Sequence, residues 1–67
     1  MITVKINGQT MQWEQSMTIQ QYLESQNHTL TRVAVEQNGR IVPKSIYSTQ
    51  HIEDGDTLEV VSFVGGG

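Results

Sequence analysis

Three consecutive glycines, Gly65, Gly66 and Gly67, carry the most distinctive chemistry in the chain, and they follow an apolar segment at residues 58–64. Because glycine has no Cβ, such a segment can extend, bend and enter a slot too narrow for a side chain. Gly67 would also carry the α-carboxylate. We therefore expect a folded domain at residues 1–64 and a flexible, functional tail at residues 65–67. A frayed terminus and a cloning remnant are the alternatives.

The other groups that could do chemistry form no recognisable site. His28 and His51 have no ligand spacing with each other, and the chain has no cysteine, so we expect no metal site. The serines lie in no nucleophile motif. The acidic run at residues 53–56 lacks the twelve-residue ligand pattern of a calcium loop and predicts a surface turn. We therefore expect a chain that binds no cofactor and is not an enzyme.

Length and charge restrict the possible partners. A chain of 67 residues predicts one small domain. Four basic against seven acidic residues give a net charge of −3, which lacks the basic surface of a nucleic-acid binder and suits a protein partner with a positive surface. No segment is long and apolar enough to cross a membrane, and no signal-peptide pattern is present. We expect a cytoplasmic protein that is monomeric when free.

The first half of the chain predicts a hairpin and then a helix. Residues 2–6 and 9–13 read as strands, and the Asn-Gly between them favours a type I′ turn. Thr18 and Gln21 have the spacing of a capping box, which predicts a helix that begins after Thr18. The apolar spacing continues through Leu23 and predicts an end near residues 26–27.

The second half predicts three strands. They lie at residues 33–37, 40–42 and 57–63, with an Asn-Gly turn between the first two and Pro43 ending the second. Residues 44–50 have no clear period, and we expect Ile46 and Tyr47 to pack a turn onto the core. Gly55 is suited to a tight acidic turn before the last strand.

The order of elements is β-β-α-β-β-β. One main helix can cover one face of a mixed sheet of four to five strands. The arrangement that buries the most apolar surface places the first and last strands side by side and parallel in the centre. This predicts an α+β fold of the β-grasp, or ubiquitin-like, type.

The last strand predicts a surface patch beside the tail. If Leu58 and Val60 face the helix, Glu59, Val61 and Phe63 face the other side of the sheet. Val61 and Phe63 would then form an exposed apolar patch, which often marks a partner site. The alternative is that Phe63 curls under the sheet edge and belongs to the core.

Four segments resemble the ThiS family of sulfur carrier proteins, which supply sulfur for the thiazole ring of thiamine. They are I-x-V-x-I-N-G at the start, V-A-V-E-Q-N-G-R-I-V-P in the middle, I-E-D-G-D-T-L-E-V-V before the end, and the closing F-V-G-G-G. The resemblance spans nearly the whole chain. A Gly-Gly end alone is shared by all ubiquitin-like modifiers, whereas the N-G-x-I-V-P and D-G-D segments are more specific.

The resemblance implies a role for the tail. In the family, an E1-like adenylyltransferase uses Mg-ATP to adenylate the terminal carboxylate. A sulfur donor such as a cysteine desulfurase then displaces AMP, and the thiocarboxylate delivers sulfur to thiazole synthase. Here the modified residue would be Gly67. Gly65 and Gly66 would thread the partners' active sites, and Val61, Phe63 and Val64 would contact the partners.

Three other functions stay open at this stage. The small subunit of molybdopterin synthase shares the fold and the thiocarboxylate, although it often has a proline before its Val-x-Gly-Gly end and this chain has none there. A protein modifier that forms isopeptide bonds with lysine also needs an exposed Gly-Gly. A plain interaction domain would have an inert tail.

Overall fold

A computed structural model describes residues 1–28 and 32–63. The elements in this part of the chain are β1 (Ile2–Ile6), β2 (Gln9–Trp13), β3 (Met17–Thr18), α1 (Ile19–Ser25), β4 (Val33–Gln37), β5 (Arg40–Ile41), a 3-10 helix (Lys44–Ile46), β6 (His51–Ile52) and β7 (Thr57–Ser62). Five strands form a mixed sheet in the order β2-β1-β7-β4-β5, and β3 pairs with β6 in a separate two-stranded sheet. The predicted α+β β-grasp architecture is confirmed.

The hairpin of β1 and β2 follows from its turn residues. Asn7 and Gly8 have φ values of 51° and 83°, the left-handed conformation that a type I′ turn requires at both positions. The strands pair in register from Ile2 opposite Trp13 to Ile6 opposite Gln9. The sequence therefore predicted both the turn and the limits of the strands.

The first and last strands lie parallel in the centre of the sheet, as predicted. Lys5 pairs with Thr57 and Ile6 with Leu58. The Asn7 side chain prolongs this pairing, because its Oδ1 accepts from the Val60 N–H at 2.8 Å and its Nδ2 donates to the Val60 carbonyl at 3.1 Å. Asn7 thus makes the turn and also holds β7 against β1.

The capping box predicted at Thr18 is present. Thr18 Oγ1 accepts from the Gln21 N–H at 3.1 Å, and Gln21 Oε1 accepts from the Thr18 N–H at 2.9 Å. These bonds satisfy two N–H groups at the helix start that would otherwise lack a partner. The seven-residue helix ends at Ser25, and Asn27 beyond it has a left-handed φ of 61°.

The core lies between α1 and one face of the sheet. The helix contributes Ile19, Tyr22 and Leu23, all buried, and the Tyr22 ring packs at 5.6 Å from that of Trp13. The other buried apolar residues come from the sheet and the segments that connect it: Val4, Ile6, Val33, Val35, Val42, Tyr47, Ile52 and Leu58. A helix this short is marginal alone, so this packing must stabilise it.

Two features in the middle of the chain differ from the prediction. The two-residue strands β3 and β6 were not predicted, because two residues have no detectable period. Residues 44–46 form a 3-10 helix, which is the turn expected in this segment. Tyr47 is buried as expected, whereas Ile46 is exposed, which corrects its assignment to the core. A single tight turn directs only one of these two successive side chains inward.

Candidate functional site: the open sheet face and the end of the last strand

The side chains of β7 alternate between the two faces of the sheet. Leu58 is buried and Val60 packs against the core, so both face the helix. Glu59 and Val61 are exposed and lie on the opposite face, which no helix covers in the part of the chain that the structure describes. We call this side of the sheet the open face.

The open face carries an exposed apolar surface near the end of β7. Val61 is 55% exposed, Phe63 52% and Ile41 75%. Val61 pairs with Ala34 on β4, and Ile41 on β5 pairs with Glu36 of β4. We call these four apolar residues, Ala34, Ile41, Val61 and Phe63, the open-face patch. The predicted exposure of Val61 and Phe63 is confirmed, and the alternative that Phe63 belongs to the core is wrong.

Two contacts hold the end of β7 in place. The Phe63 N–H donates to the Arg32 carbonyl at 2.7 Å, which prolongs the pairing of β7 with β4 by one residue. Ser62 Oγ lies 3.1 Å from His28 Nδ1, in the segment after the helix. The last strand is therefore fixed up to Phe63. Val64, Gly65, Gly66 and Gly67 lie outside the described residues, so their predicted roles stay predictions.

The start of β7 is held by a polar network around Asp56. Its Oδ2 accepts from Gln37 Nε2 at 2.7 Å and from the Glu53 N–H at 2.8 Å, and its Oδ1 accepts from Asn38 Nδ2 at 2.9 Å. Partial burial acts to raise the pKa of Asp56, but these three hydrogen bonds outweigh burial and lower that pKa below its usual value.

Gln37 connects this network to the rest of the fold. It is 9% exposed, and its Nε2 also donates to the His51 carbonyl at 3.0 Å, while its Oε1 accepts from Gln50 Nε2 at 2.9 Å. Every polar atom of this buried amide group therefore has a partner. Gln37 was not predicted from the sequence, where its signal was a polar residue at a core position of a largely apolar strand.

The acidic residues 53–56 form a surface turn, as predicted. Gly55 has φ 89°, and its N–H donates to the Thr3 carbonyl at 2.8 Å, while Asp54 Oδ1 accepts from the Thr3 N–H at 2.7 Å. Asp54 and Asp56 thus bind backbone N–H groups and fix the turn against β1 and β4. Among residues 1–28 and 32–63, no three potential ligands come together as a metal site would require.

The two histidines lie apart in the fold. His28 follows the helix, and His51 lies in β6 with its side chain exposed. His51 pairs with Thr18 in the small sheet. In the described part of the chain, no helix is long and apolar enough to span a membrane.

An open groove of about 720 Å³ lies at the other end of β4, away from Phe63. Its walls include Gln37 and Asp56 from the polar network together with Arg40, Pro43 and Ile46. This groove was not predictable from the sequence, because it forms where β5, the 3-10 helix and the acidic turn meet.

Comparison with known proteins identifies the family. The model of the ThiS family matches residues 4–67, which is nearly the whole chain and includes the three glycines. The chain belongs to the ThiS family. The resemblance noted in the four sequence segments is therefore confirmed, and it favours the thiamine pathway over the molybdopterin alternative.

Individual relatives agree with this assignment. The chain is 37% identical over 65 residues to the sulfur carrier protein ThiS of Bacillus subtilis, a match that covers 96% of this chain and 98% of that protein. It is 45% identical over 62 residues to a thiazole synthase of Paramagnetospirillum magneticum. That match covers 92% of this chain but only 19% of the synthase, so the chain spans about a fifth of that relative's length.

The fold also matches a solved structure of the family. The crystal structure of the thiamine biosynthesis protein ThiS from Geobacter metallireducens superposes with a TM-score of 0.82 at 25% identity, over 98% of this chain and 100% of that one. An NMR structure of a thiamine biosynthesis protein from the same organism gives a TM-score of 0.78. The chain thus shares the ThiS fold.

Proposed function

We propose that this chain is a sulfur carrier of thiamine biosynthesis that holds sulfur as a thiocarboxylate on the carboxyl group of Gly67. The observation that carries the proposal is the ThiS-family match over residues 4–67, which runs through the glycine tail. The similarity to the Bacillus subtilis carrier over nearly the full length of both proteins supports the same role.

The chemistry requires activation of a poor electrophile. A free carboxylate resists attack because its leaving group would be oxide. An E1-like adenylyltransferase, which binds the Mg-ATP, would let a carboxylate oxygen of Gly67 attack the α-phosphorus of ATP, and pyrophosphate would leave. The persulfide of a sulfur donor such as a cysteine desulfurase would then attack the acyl carbon as AMP leaves, and a thiol would reduce the resulting acyl disulfide. Sulfide would displace AMP and give the same product without a reductant. The product is a thiocarboxylate, a nucleophile that a thiazole synthase can accept.

The chain itself would act as carrier and substrate, without catalysing a step. Residues 1–64 would form the recognition domain, and Gly65 and Gly66 would carry Gly67 into narrow active sites, where any Cβ would meet the walls. Val61, Phe63 and Val64 would contact the partners. The exposure of Val61 and Phe63 on a face without a covering helix supports this part of the proposal.

Thiazole synthase is the acceptor that the relatives favour. A segment similar to this chain makes up about a fifth of the Paramagnetospirillum magneticum thiazole synthase. A carrier and its acceptor that occur within one chain elsewhere are expected to meet as separate chains here. We propose that the free carrier is a monomer in the cytoplasm, where ATP and both partners would be available.

The test is an intact-mass measurement on the protein ending at Gly67. The chain is incubated with an E1-like adenylyltransferase, Mg-ATP and sulfide. We expect a gain equal to the replacement of one oxygen atom by one sulfur, mapped to Gly67. A variant that lacks Gly67 should melt at the same temperature and gain no sulfur. Sulfur gain at an unchanged rate after that deletion would refute the carrier mechanism.

A further inference from the structure

Two glutamates face each other on the open face. Glu36 of β4 and Glu59 of β7 are directly opposed in the antiparallel register, and both are exposed. Side chains in this relation have Cβ atoms about 4.5–5.5 Å apart, so two negatively charged side chains start from neighbouring positions on the same face. Like charges directly opposite each other destabilise a sheet. We therefore expect this pair to lower the stability of the free domain.

The surroundings of this pair are apolar on two sides. Ile41 lies opposite Glu36 on the outer strand, and Ala34 and Val61 form the next pair towards the end of β7. The glutamates are thus bordered by the open-face patch. Lys5 of β1 pairs with Thr57, which lies two residues before Glu59 on the same face of the sheet.

Two carboxylates beside exposed apolar side chains match the chemistry of an arginine side chain. A guanidinium group can donate to two carboxylates at once in a planar arrangement. Its methylene stem can lie along apolar surface while its charged end stays polar. A partner arginine would also remove the repulsion between the glutamates. The net charge of −3 favours approach of a basic surface as well.

We propose that the Glu36–Glu59 pair is a charge-recognition site that receives an arginine from the adenylyltransferase, with the open-face patch covered by apolar side chains of the same enzyme. The inference rests on the proposed function, because it names the surface through which the activating enzyme holds the carrier. In this arrangement the sheet face provides the binding affinity, and the chemical step takes place at the tail.

The proposal predicts opposite effects on folding and on binding. Glu36→Gln and Glu59→Gln each remove the repulsion, so each should raise the melting temperature of the free chain by about 1–5 °C. Each should also weaken binding to the adenylyltransferase on the order of fivefold, as expected for the loss of one exposed ion pair. The gains in stability should not add in the double variant, because both changes relieve the same repulsion.

Glu14→Gln is the matched control. It makes the same change of charge at an exposed residue that follows β2, the strand at the far edge of the sheet from β5. We expect it to leave the affinity for the adenylyltransferase within about twofold of the wild-type value, the scatter expected for a surface substitution. Any general effect of net charge on association would appear in this variant too.

The experiment titrates the full chain into purified adenylyltransferase at low and high salt, and measures sulfur gain at Gly67 at saturating enzyme. We expect wild-type binding to weaken with salt, and the Glu36 and Glu59 variants to bind more weakly with a smaller salt dependence. Normal sulfur gain together with unchanged affinity of both variants would overturn this inference alone. Failure of the wild-type chain to bind the enzyme would overturn both the inference and the proposed function.

Discussion

Replacement of Asp56 by asparagine tests the network that fixes the start of the last strand. The carboxylate accepts three hydrogen bonds, from Gln37, Asn38 and the Glu53 N–H, at 2.7 to 2.9 Å. Asparagine has the same shape but only one acceptor oxygen. If that oxygen keeps the bonds from Gln37 and Glu53, its NH₂ group faces the Asn38 Nδ2 donor, and that contact is lost.

The expected cost follows from these contacts. A hydrogen bond to a charged group contributes about 1.5–3 kcal/mol and a neutral one about 1 kcal/mol. Losing one bond and neutralising the other two should therefore lower the free energy of unfolding by about 2–3 kcal/mol at pH 7. A chain this small has a low free energy of unfolding, because its core contributes only about 3–5 kcal/mol. Thermal unfolding should shift downward by roughly 10 °C or more.

The effect should depend on pH with a defined sign. The folded state lowers the pKa of Asp56, so the charged carboxylate stabilises the fold above the ordinary pKa of 3.8. That contribution is lost as the pH falls through the lowered folded pKa. The difference in the free energy of unfolding between wild type and Asp56→Asn should therefore have its full value at pH 7 and should decrease below about pH 4.

The assay is urea unfolding of both proteins across this pH range, with Glu53→Gln as control. Glu53 is exposed, and its contact with Asp56 is made by its backbone N–H, so this substitution should change stability by less than about 0.5 kcal/mol. The reasoning would be refuted by an Asp56→Asn cost no larger than that of the control. A cost that stays constant from pH 7 to pH 3 would refute the assignment to the charged carboxylate.

Two further substitutions separate folding from partner binding. Thr18→Ala removes the helix cap and should cost about 1 kcal/mol of stability without changing the affinity of the folded chain for the adenylyltransferase. An unchanged melting temperature would show that the cap does not contribute. Phe63→Asp should weaken that affinity on the order of tenfold or more with a smaller loss of stability, because Phe63 is 52% exposed. Ile46→Asp, away from the open face, serves as its control, and a large loss of stability with normal affinity would show that Phe63 acts in folding.

The local signals in the sequence predicted most of the fold. The Asn7-Gly8 turn, the capping box at Thr18 and the alternation along β1 and β7 each depend on residues close together in the chain, and each was confirmed. The central parallel pair also followed, because only one arrangement of these elements buries their apolar faces well. Short-range patterns of this kind can be recognised directly in a sequence.

The features that were missed depend on contacts between distant residues. The pairing of Met17–Thr18 with His51–Ile52 joins segments more than thirty residues apart, and neither segment is long enough to show a period. In the sequence Gln37 is an ordinary polar residue, because its partners Gln50, His51 and Asp56 contact it only in the folded chain. The opposition of Glu36 and Glu59 likewise needs the register of β4 against β7.

The site was predicted only in part, because some of its residues meet through contacts between strands that are distant in the sequence. The exposure of Val61 and Phe63 followed from the alternation of β7 and was confirmed. The addition of Ile41 and Ala34 to that patch required the neighbouring strands. The role proposed for Gly67 rests on family chemistry, because a reaction at a backbone carboxyl group requires no particular pattern of side-chain contacts.

The most direct test of the sulfur-carrier function follows the sulfur atom. The chain is loaded with radiolabelled sulfide by the adenylyltransferase and Mg-ATP, separated from free sulfide, and mixed with thiazole synthase and its substrates. The account predicts that the label leaves Gly67 and appears in the thiazole product, and that the chain returns to its original mass. Label that stays on Gly67 with an active synthase, or a chain that becomes joined to a lysine of another protein, would contradict it.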